Sequence, residues 1–156
     1  MSAFDSSDAA AHPFTAFNFE VEIQVPGVAD KLCHAAFSEV DGLEMSMEPK
    51  TIREGGRNAG PVHMAGPVDF GQLTLKRGMT ANVDLWRWFE AVSAPGGGGL
   101  RGTASVVVMG GDRTVQMQFR LEGCLPVKLK APAFSAKDGQ LAIEEMQVAY
   151  ESLRLL

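Results

Sequence analysis

Apolar and polar residues alternate along most of this chain, which is the pattern of β-strands that bury one face. From residue 17 to residue 25, every odd-numbered position is apolar and every even-numbered position is polar. Pro26 and Gly27 end this run, and residues 31–37 are expected to pair back on it as a hairpin. Further strands are predicted at residues 43–52, 70–76, 103–109, 115–121 and 127–133.

One segment has the period of a helix instead of a strand. Its apolar residues fall at positions i, i+3, i+4 and i+7, and they are Leu85, Trp88, Phe89 and Val92. These four side chains are predicted to pack the helix on the core. Thr80 or Asn82 is expected to cap the start of the helix. Trp86 falls off the apolar stripe, and an exposed Trp is a candidate contact with another protein.

The last predicted strand changes phase. Its apolar positions are odd-numbered up to Ile143 and even-numbered from Met146 onward. The change predicts a β-bulge or a new partner strand at Glu144 and Glu145. Taken together, the elements predict a mainly β fold, which is a small antiparallel β-barrel or sandwich with one α-helix packed on it.

The organisation of the chain is expected to be simple. Residues 1–13 are predicted to be a flexible tail, and residues 14–156 are predicted to form a single domain. Residues 54–69 are predicted to form a long loop that contains four glycines, and loops of this length are usually either functional or disordered. The predicted sheet also has open edges with few Lys residues to protect them, which favours assembly with other chains.

Composition excludes several classes of function. The 156 residues include 14 Lys plus Arg and 19 Asp plus Glu, which gives a net charge of −5. An acidic chain without a basic block argues against direct, sequence-specific nucleic-acid binding. No apolar run reaches the roughly 18 residues of a membrane helix, so no membrane insertion is expected. The start of the chain lacks the basic segment of a secretory signal.

Cys33 and Cys124 are interpreted as small buried hydrophobic residues, with no evidence for a disulfide.

The search for chemistry predicts no catalytic residues, no metal site and no cofactor. The three histidines have no metal-ligand spacing. Adjacent Glu144 and Glu145 point to opposite faces of a regular strand, so they cannot act as a carboxylate pair. A different class of function stays open, in which the chain is a small-molecule-binding β-barrel. Its pocket would be lined by Met45, Met47, Met109 and Met117, although methionines more often fill a core.

Several short motifs, in this order and spacing, resemble the contractile-tail tube family. They are FSEVDGL at residues 37–43, TIREGG at 51–56, FGQLTLKRG at 70–78, LWRWF at 85–89, and LAIEEM at 141–146 followed by Tyr150 and Glu151. The resemblance spans about residues 14–155. It implies a non-enzymatic subunit of hexameric rings that stack into a hollow inner tube inside a contractile sheath. It also implies a fold similar to that of the haemolysin-coregulated tube protein of type VI secretion.

The resemblance also implies partners and a location. The expected partners are further copies of the chain, the sheath protein, the spike hub or baseplate, and a cap or terminator protein. The protein would assemble in the bacterial cytoplasm and then form part of a phage-tail-like particle. An alternative within the same family is an adaptor ring that joins the tube to the spike hub.

Two groups of residues are expected to make contacts in such a tube. Contacts with a neighbouring subunit or ring are expected from the glycine-rich loop, at Glu54, Gly55, Gly56, Arg57, Asn58, His63 and Met64. The helix is expected to lie outside, towards the sheath, with Trp86, Arg87 and Glu90 as its candidate contacts. Bulky substitutions of Gly55 or Gly56 would then weaken stacking more than folding, because glycine permits a positive φ and a close backbone approach.

Overall fold

The structure of the protein is a computed structural model that describes residues 18–53, 55, 60–79, 82–134, 136 and 142–156. These residues form one helix, α1 (Asp84–Ser93), and twelve strands. The strands are β1 (Asn18–Val25), β2 (Ala29–Phe37), β3 (Glu39–Asp41), β4 (Met45–Met47), β5 (Lys50–Ile52), β6 (Val62–Met64), β7 (Val68–Phe70), β8 (Gln72–Gly78), β9 (Gly102–Met109), β10 (Val115–Lys130), β11 (Ile143–Ala149) and β12 (Ser152–Leu155). The predicted mainly β fold with one helix is therefore confirmed.

Most strands belong to one antiparallel sheet, in the order β2-β1-β9-β10-β11-β8-β3. The predicted hairpin of β1 and β2 is present, and its turn contains Gly27 with a φ of 81°. Strand β12 pairs with β10 beside this path. Strands β4 and β7 form a separate two-stranded ladder, and β5 and β6 form another.

The long strand β10 makes the sheet fold over into a sandwich. Its first part pairs with β9, and its second part pairs with β11. The two ends of the sheet, β2 and β3, follow each other in the chain through Ser38, whose N–H donates to the carbonyl of Lys76 at 2.8 Å. The hydrogen-bonded path through the described residues is open, so the sandwich is the better description than a closed barrel.

One buried cluster lies between the two halves of the sheet. The odd-numbered residues of β1 enter it, as their alternation predicts, and Val21, Ile23 and Val25 are fully buried. Leu85 and Trp88 of α1 are also buried there, whereas Phe89 and Val92 are only partly buried. The helix starts at Asp84, and its N-cap is Val83, without a side-chain cap hydrogen bond, so Asn82 is not the cap. The Asn82 side chain instead accepts a hydrogen bond from the Asp84 N–H at 3.0 Å, one residue before the cap. The other candidate cap, Thr80, lies outside the described residues.

Three predictions about strands were wrong. The strand expected at residues 43–52 is two short strands, β4 and β5, which pair with different partners. The two strands expected at residues 115–121 and 127–133 are the single strand β10. No bulge occurs at Glu144 and Glu145, because β11 pairs with β8 in unbroken register from Ile143 to Ala149. The apparent phase change arises because Glu144, a polar residue, occupies a core-facing position.

The predicted tail, residues 1–13, lies outside the described residues. Among the residues that are described, no helix combines the length and the apolar character that a membrane span requires.

Candidate assembly interface

A narrow extension leaves the sandwich between Asp41 and Gln72. We call its described residues, 42–53, 55 and 60–71, the arm; its strands form the β4–β7 and β5–β6 ladders. Each ladder is only three residue pairs long, and an isolated two-stranded ribbon is at best marginally stable in water. The large apolar residues that the arm exposes are Met45, Met47, Ile52, Met64 and Val68.

The exposed apolar side chains of each ladder lie on one face, and in the β5–β6 ladder that face also carries Lys50, opposite Met64. In the β4–β7 ladder, Met45 lies opposite Phe70 and Met47 lies opposite Val68. In the β5–β6 ladder, Ile52 lies opposite Val62. A cluster of exposed apolar residues on a thin ribbon is typical of a surface that another protein covers. The arm is therefore the strongest candidate interface in the described part of the chain.

The predicted contact residues fall in this arm or just beyond it. His63 and Met64 lie on β6 and are exposed, and Gly55 is exposed near the tip. Glu54, Gly56, Arg57 and Asn58 lie outside the described residues. A Cβ at Gly55 would meet no atom within 4 Å, and its φ is not in the left-handed region. The positive φ expected there is therefore not found at Gly55, and the expected close approach of a neighbouring subunit stays a prediction.

Two sheet edges are also candidates for contact. Strand β2 ends the path of the large sheet, and β12 has β10 as its partner. Neither strand has a second ladder among the described residues. Leu155 and Leu156 are exposed beside the free edge of β12. Open edges of this kind offer unpaired N–H and C=O groups to a strand from another chain.

The outer face of the sheet between these edges is polar. Register places Glu22 of β1, Ser105 of β9 and Arg120 of β10 in one cross-strand row. Gln118 donates a hydrogen bond to the Ser105 hydroxyl at 3.0 Å, and Arg120 lies 3.3 Å from a Glu122 carboxylate oxygen. The face opposite the core is therefore a hydrated surface with both signs of charge.

The structure places the predicted helix contacts in two environments. Arg87 and Glu90 are exposed. Trp86 is partly buried, and its Nε1–H donates to Glu144 Oε2 at 3.2 Å. The expectation of an exposed Trp86 therefore needs correction, because its indole reaches back to β11 and anchors the first turn of the helix.

Glu144 also pairs with Arg77, and this buried ion pair was missed from the sequence. Arg77 Nε donates to Glu144 Oε1, and both residues are almost fully buried. The Arg77 guanidinium also lies over the Phe37 ring, 5.6 Å from its centroid. The signal was present in the alternation, because Arg77 follows Leu73 and Leu75 on one face of β8. Glu144 likewise precedes Met146 and Val148 on the buried face of β11.

The described residues contain no group of three or more His, Cys, Asp or Glu side chains placed to hold a metal ion. Cys124 is a free, buried thiol, and burial raises its pKa to about 12, which keeps it protonated and unreactive at neutral pH. The four methionines of the small-molecule hypothesis do not come together. Met45 and Met47 are exposed on the arm, whereas Met109 and Met117 lie next to the turn of the β9–β10 hairpin, in a different sheet.

Comparisons with known proteins agree with this geometry. The family model described as T4-like virus tail tube protein gp19 matches residues 15–154. Curated proteins gave no significant match.

Several solved structures are similar to the chain over most of its length. A chain of the anti-feeding prophage baseplate has a TM-score of 0.75 and 22% identity, covering 94% of this chain and 97% of that chain. A chain of the PVC sheath–tube complex, an extracellular contractile injection system in its extended state, has a TM-score of 0.74 and 19% identity, with 97% of each chain covered. A crystal structure of an Hcp protein has a TM-score of 0.56 and 11% identity, covering 87% of this chain and 89% of that chain. At these identities the structures establish a shared fold, including the expected likeness to Hcp.

Proposed function

We propose that this chain, which belongs to the T4-like virus tail tube protein family, is the repeating subunit of a hollow inner tube made of stacked hexameric rings. The match of the family model to residues 15–154 confirms the resemblance to the contractile-tail tube family, and the chain is a structural tube subunit. The hexamer, the stacking contacts and the partners named below are the proposal.

The observation that carries the proposal is the arm. Its two ladders expose five large apolar residues, although neither ladder has enough neighbours to be stable by itself. In a tube, an identical subunit beside or above would cover those side chains. Burial of apolar surface contributes about 25 cal/mol for each Å², so several methionines covered together would stabilise the contact substantially. His63, Met64 and Gly55 would lie in this contact, together with Glu54, Gly56, Arg57 and Asn58.

The sheet supplies a second contact, within one ring. The free edges of β2 and β12 lie at opposite ends of the strands β2-β1-β9-β10-β12. Edge-to-edge pairing between neighbouring subunits would continue the sheet around a ring and remove both open edges. The second half of the sandwich and α1 lie on one side of this sheet, so they would lie outside the ring. The polar row of Glu22, Ser105 and Arg120 would then face the lumen.

The helix would contact the sheath. With Trp86 anchored on Glu144, the residues available for that contact are Arg87 and Glu90. One matched structure is a sheath–tube complex and another is a baseplate, which supports a sheath and a baseplate as partners here. A cap protein at the end of the tube completes the expected set.

The proposed role is structural, without enzymatic activity or a cofactor. Assembly in the bacterial cytoplasm and later presence in a phage-tail-like particle follow from the same proposal. The proposal also includes the expectation that residues 14–156 form one domain. A single sandwich with one arm supplies both the arm contact and the sheet-edge contact.

Negative-stain electron microscopy of the purified protein over a concentration series tests the proposal. Rings that stack into long hollow tubes are the expected result. Discrete rings that never stack would contradict it and indicate an adaptor ring at the spike hub. Monomers at every concentration would contradict self-assembly through the arm.

A further inference from the structure

Tyr150 connects the root of the arm to the last two strands of the sandwich. It is the one tyrosine in the sequence, it lies between β11 and β12, and it is 6% exposed. Its hydroxyl oxygen lies 2.7 Å from the carbonyl oxygen of Gly42 and 3.1 Å from the backbone nitrogen of Glu44. Both of these backbone groups lie between β3 and β4, where the chain enters the arm.

The chemistry of a hydroxyl decides which of these contacts are hydrogen bonds. A tyrosine hydroxyl has one proton to donate, and it accepts through its lone pairs. The shorter contact, to the Gly42 carbonyl, is assigned the hydroxyl proton. The hydroxyl therefore donates to the Gly42 carbonyl and accepts from the Glu44 N–H. The Glu44 carbonyl, which also lies 3.1 Å away, accepts from the Gly71 N–H at 3.3 Å. Gly71 lies between β7 and β8, where the chain leaves the arm, so the entering and returning segments are connected at one place.

The backbone at this place has little freedom. Gly42 has a φ of 92°, and a Cβ built on it would lie 1.8 Å from the carbonyl oxygen of Gln72. The Phe70 ring packs against the Tyr150 ring, with centroids 5.6 Å apart and an interplanar angle of 51°. This aromatic contact fixes the position of the Tyr150 ring. The hydroxyl at the end of the ring then holds the backbone at Gly42 and Glu44 in place.

We propose that the hydroxyl of Tyr150 is a positioning group for assembly. It fixes the direction in which the arm leaves the sandwich, so the arm is presented in the conformation that a neighbouring subunit binds. Holding a segment in its bound conformation lowers the entropy lost on association. The inference rests on the proposed function, because it takes the arm as the part that contacts another subunit. Removal of the hydroxyl is therefore expected to weaken assembly more than it weakens folding.

The test is Tyr150→Phe, which keeps the ring and removes the hydroxyl. Amide hydrogen exchange is measured on the unassembled protein, and assembly is measured by sedimentation at matched concentrations. The control is Val148→Ala near the end of β11, since Val148 is buried and is not part of the arm root. Loss of two hydrogen bonds is expected to speed exchange of the amides in β4 to β7 about tenfold, with the exchange of β1 and β9 unchanged. Val148→Ala is expected to lower thermal stability without changing the exchange of the arm relative to the wild type.

Faster arm exchange and weaker assembly in Tyr150→Phe alone would support the inference. Unchanged arm exchange in Tyr150→Phe would overturn it, as would equal effects of the two variants on the arm. If the wild type forms no assemblies while Tyr150→Phe still loosens the arm, the positioning of the arm stands and the proposed function fails.

Discussion

The sandwich and the arm are both made of antiparallel strands with alternating residues, but they treat their apolar side chains in opposite ways. In β1 the apolar residues Val21, Ile23 and Val25 are fully buried within the subunit. In the arm, Met45 is 62% exposed and Met64 is 51% exposed. The sandwich therefore buries its apolar side chains within the subunit, whereas the apolar side chains of the arm can be covered only by another molecule. Alternation alone predicts a strand, and burial decides whether that strand serves folding or assembly.

The largest expected effect on stability is inside the sandwich, at the buried pair of Arg77 and Glu144. Glu144→Ala would leave the buried guanidinium without its carboxylate and is expected to destabilise the fold by about 3–5 kcal/mol. Denaturation with urea, followed by tryptophan fluorescence, measures the change. The matched control is the double variant Arg77→Met with Glu144→Leu, which removes both charges and is expected to recover most of the stability. Equal losses in both variants would mean that the charge pair is not the cause.

The next largest effect on stability is expected at the root of the arm, where the sandwich and the arm meet, and two glycines allow a matched comparison. Gly42 and Gly27 both have a positive φ, but a Cβ at Gly42 would collide with the Gln72 carbonyl, whereas a Cβ at Gly27 would meet nothing within 4 Å. Gly27→Ala is expected to cost about 1–2 kcal/mol from its backbone conformation alone. Gly42→Ala is expected to cost about 1–3 kcal/mol more, because the backbone must shift. Thermal unfolding of the two variants compares them directly, and equal losses would contradict the close packing of the arm root.

A smaller effect on stability, with a large effect on assembly, is expected in the arm itself. Met64→Asp is expected to change the free energy of unfolding by no more than about 0.5 kcal/mol, because the side chain is already exposed. The same change is expected to prevent association, since it places a charge in the proposed contact. Val115→Asp is the control, because Val115 is 63% exposed but lies on β10 outside the arm. Sedimentation velocity should show normal assembly for Val115→Asp and a loss for Met64→Asp.

The smallest expected effect concerns the exposed turn between β9 and β10. The Thr114 hydroxyl donates to Asp112 at 2.6 Å, and this hydrogen bond is the main reason why the pKa of Asp112 lies below its usual 3.8. A lowered carboxyl pKa stabilises the fold above the unfolded-state value, and the contribution is lost as the pH falls through the folded-state value. Thr114→Val should therefore raise the pKa of Asp112 and weaken the fold slightly at neutral pH but not in strong acid. Thr114→Ser should keep the low value, and an NMR titration of the Asp112 carboxyl measures both variants.

Much of the sandwich could be predicted from the sequence, because its strands bury one face and expose the other. Alternation located β1 and β8, the break at Pro26 and Gly27 indicated β2 as a hairpin partner, and a β-branched run indicated β9. The helical period located α1, whose observed bounds are Asp84–Ser93. The division of residues 43–52 into β4 and β5 could not be predicted, because both strands are exposed and neither has a buried face to set its limits. Glu144 was misread as a phase change for a related reason. Alternation treats every polar residue as exposed, whereas Arg77 on the neighbouring strand and Trp86 on the helix supply the partners that make burial of Glu144 favourable.

The candidate interface was predicted in part. The sequence indicated the region around His63 and Met64, and the structure extends the exposed apolar surface to Met45 and Met47 on the other ladder of the arm. Trp86 could not be assigned correctly from helical position alone, because its partner Glu144 lies 58 residues away in the sequence. Contacts between distant segments are not visible in a local pattern.

Hydrogen exchange on the assembled protein, compared with the unassembled subunit, tests most directly whether a second copy covers the arm. The prediction is that the amides of β4 to β7 exchange at least about tenfold more slowly after assembly, whereas those of the buried core strand β8 do not change. Equal exchange of the arm in both states would contradict the account, because the exposed methionines would then have no role in holding subunits together.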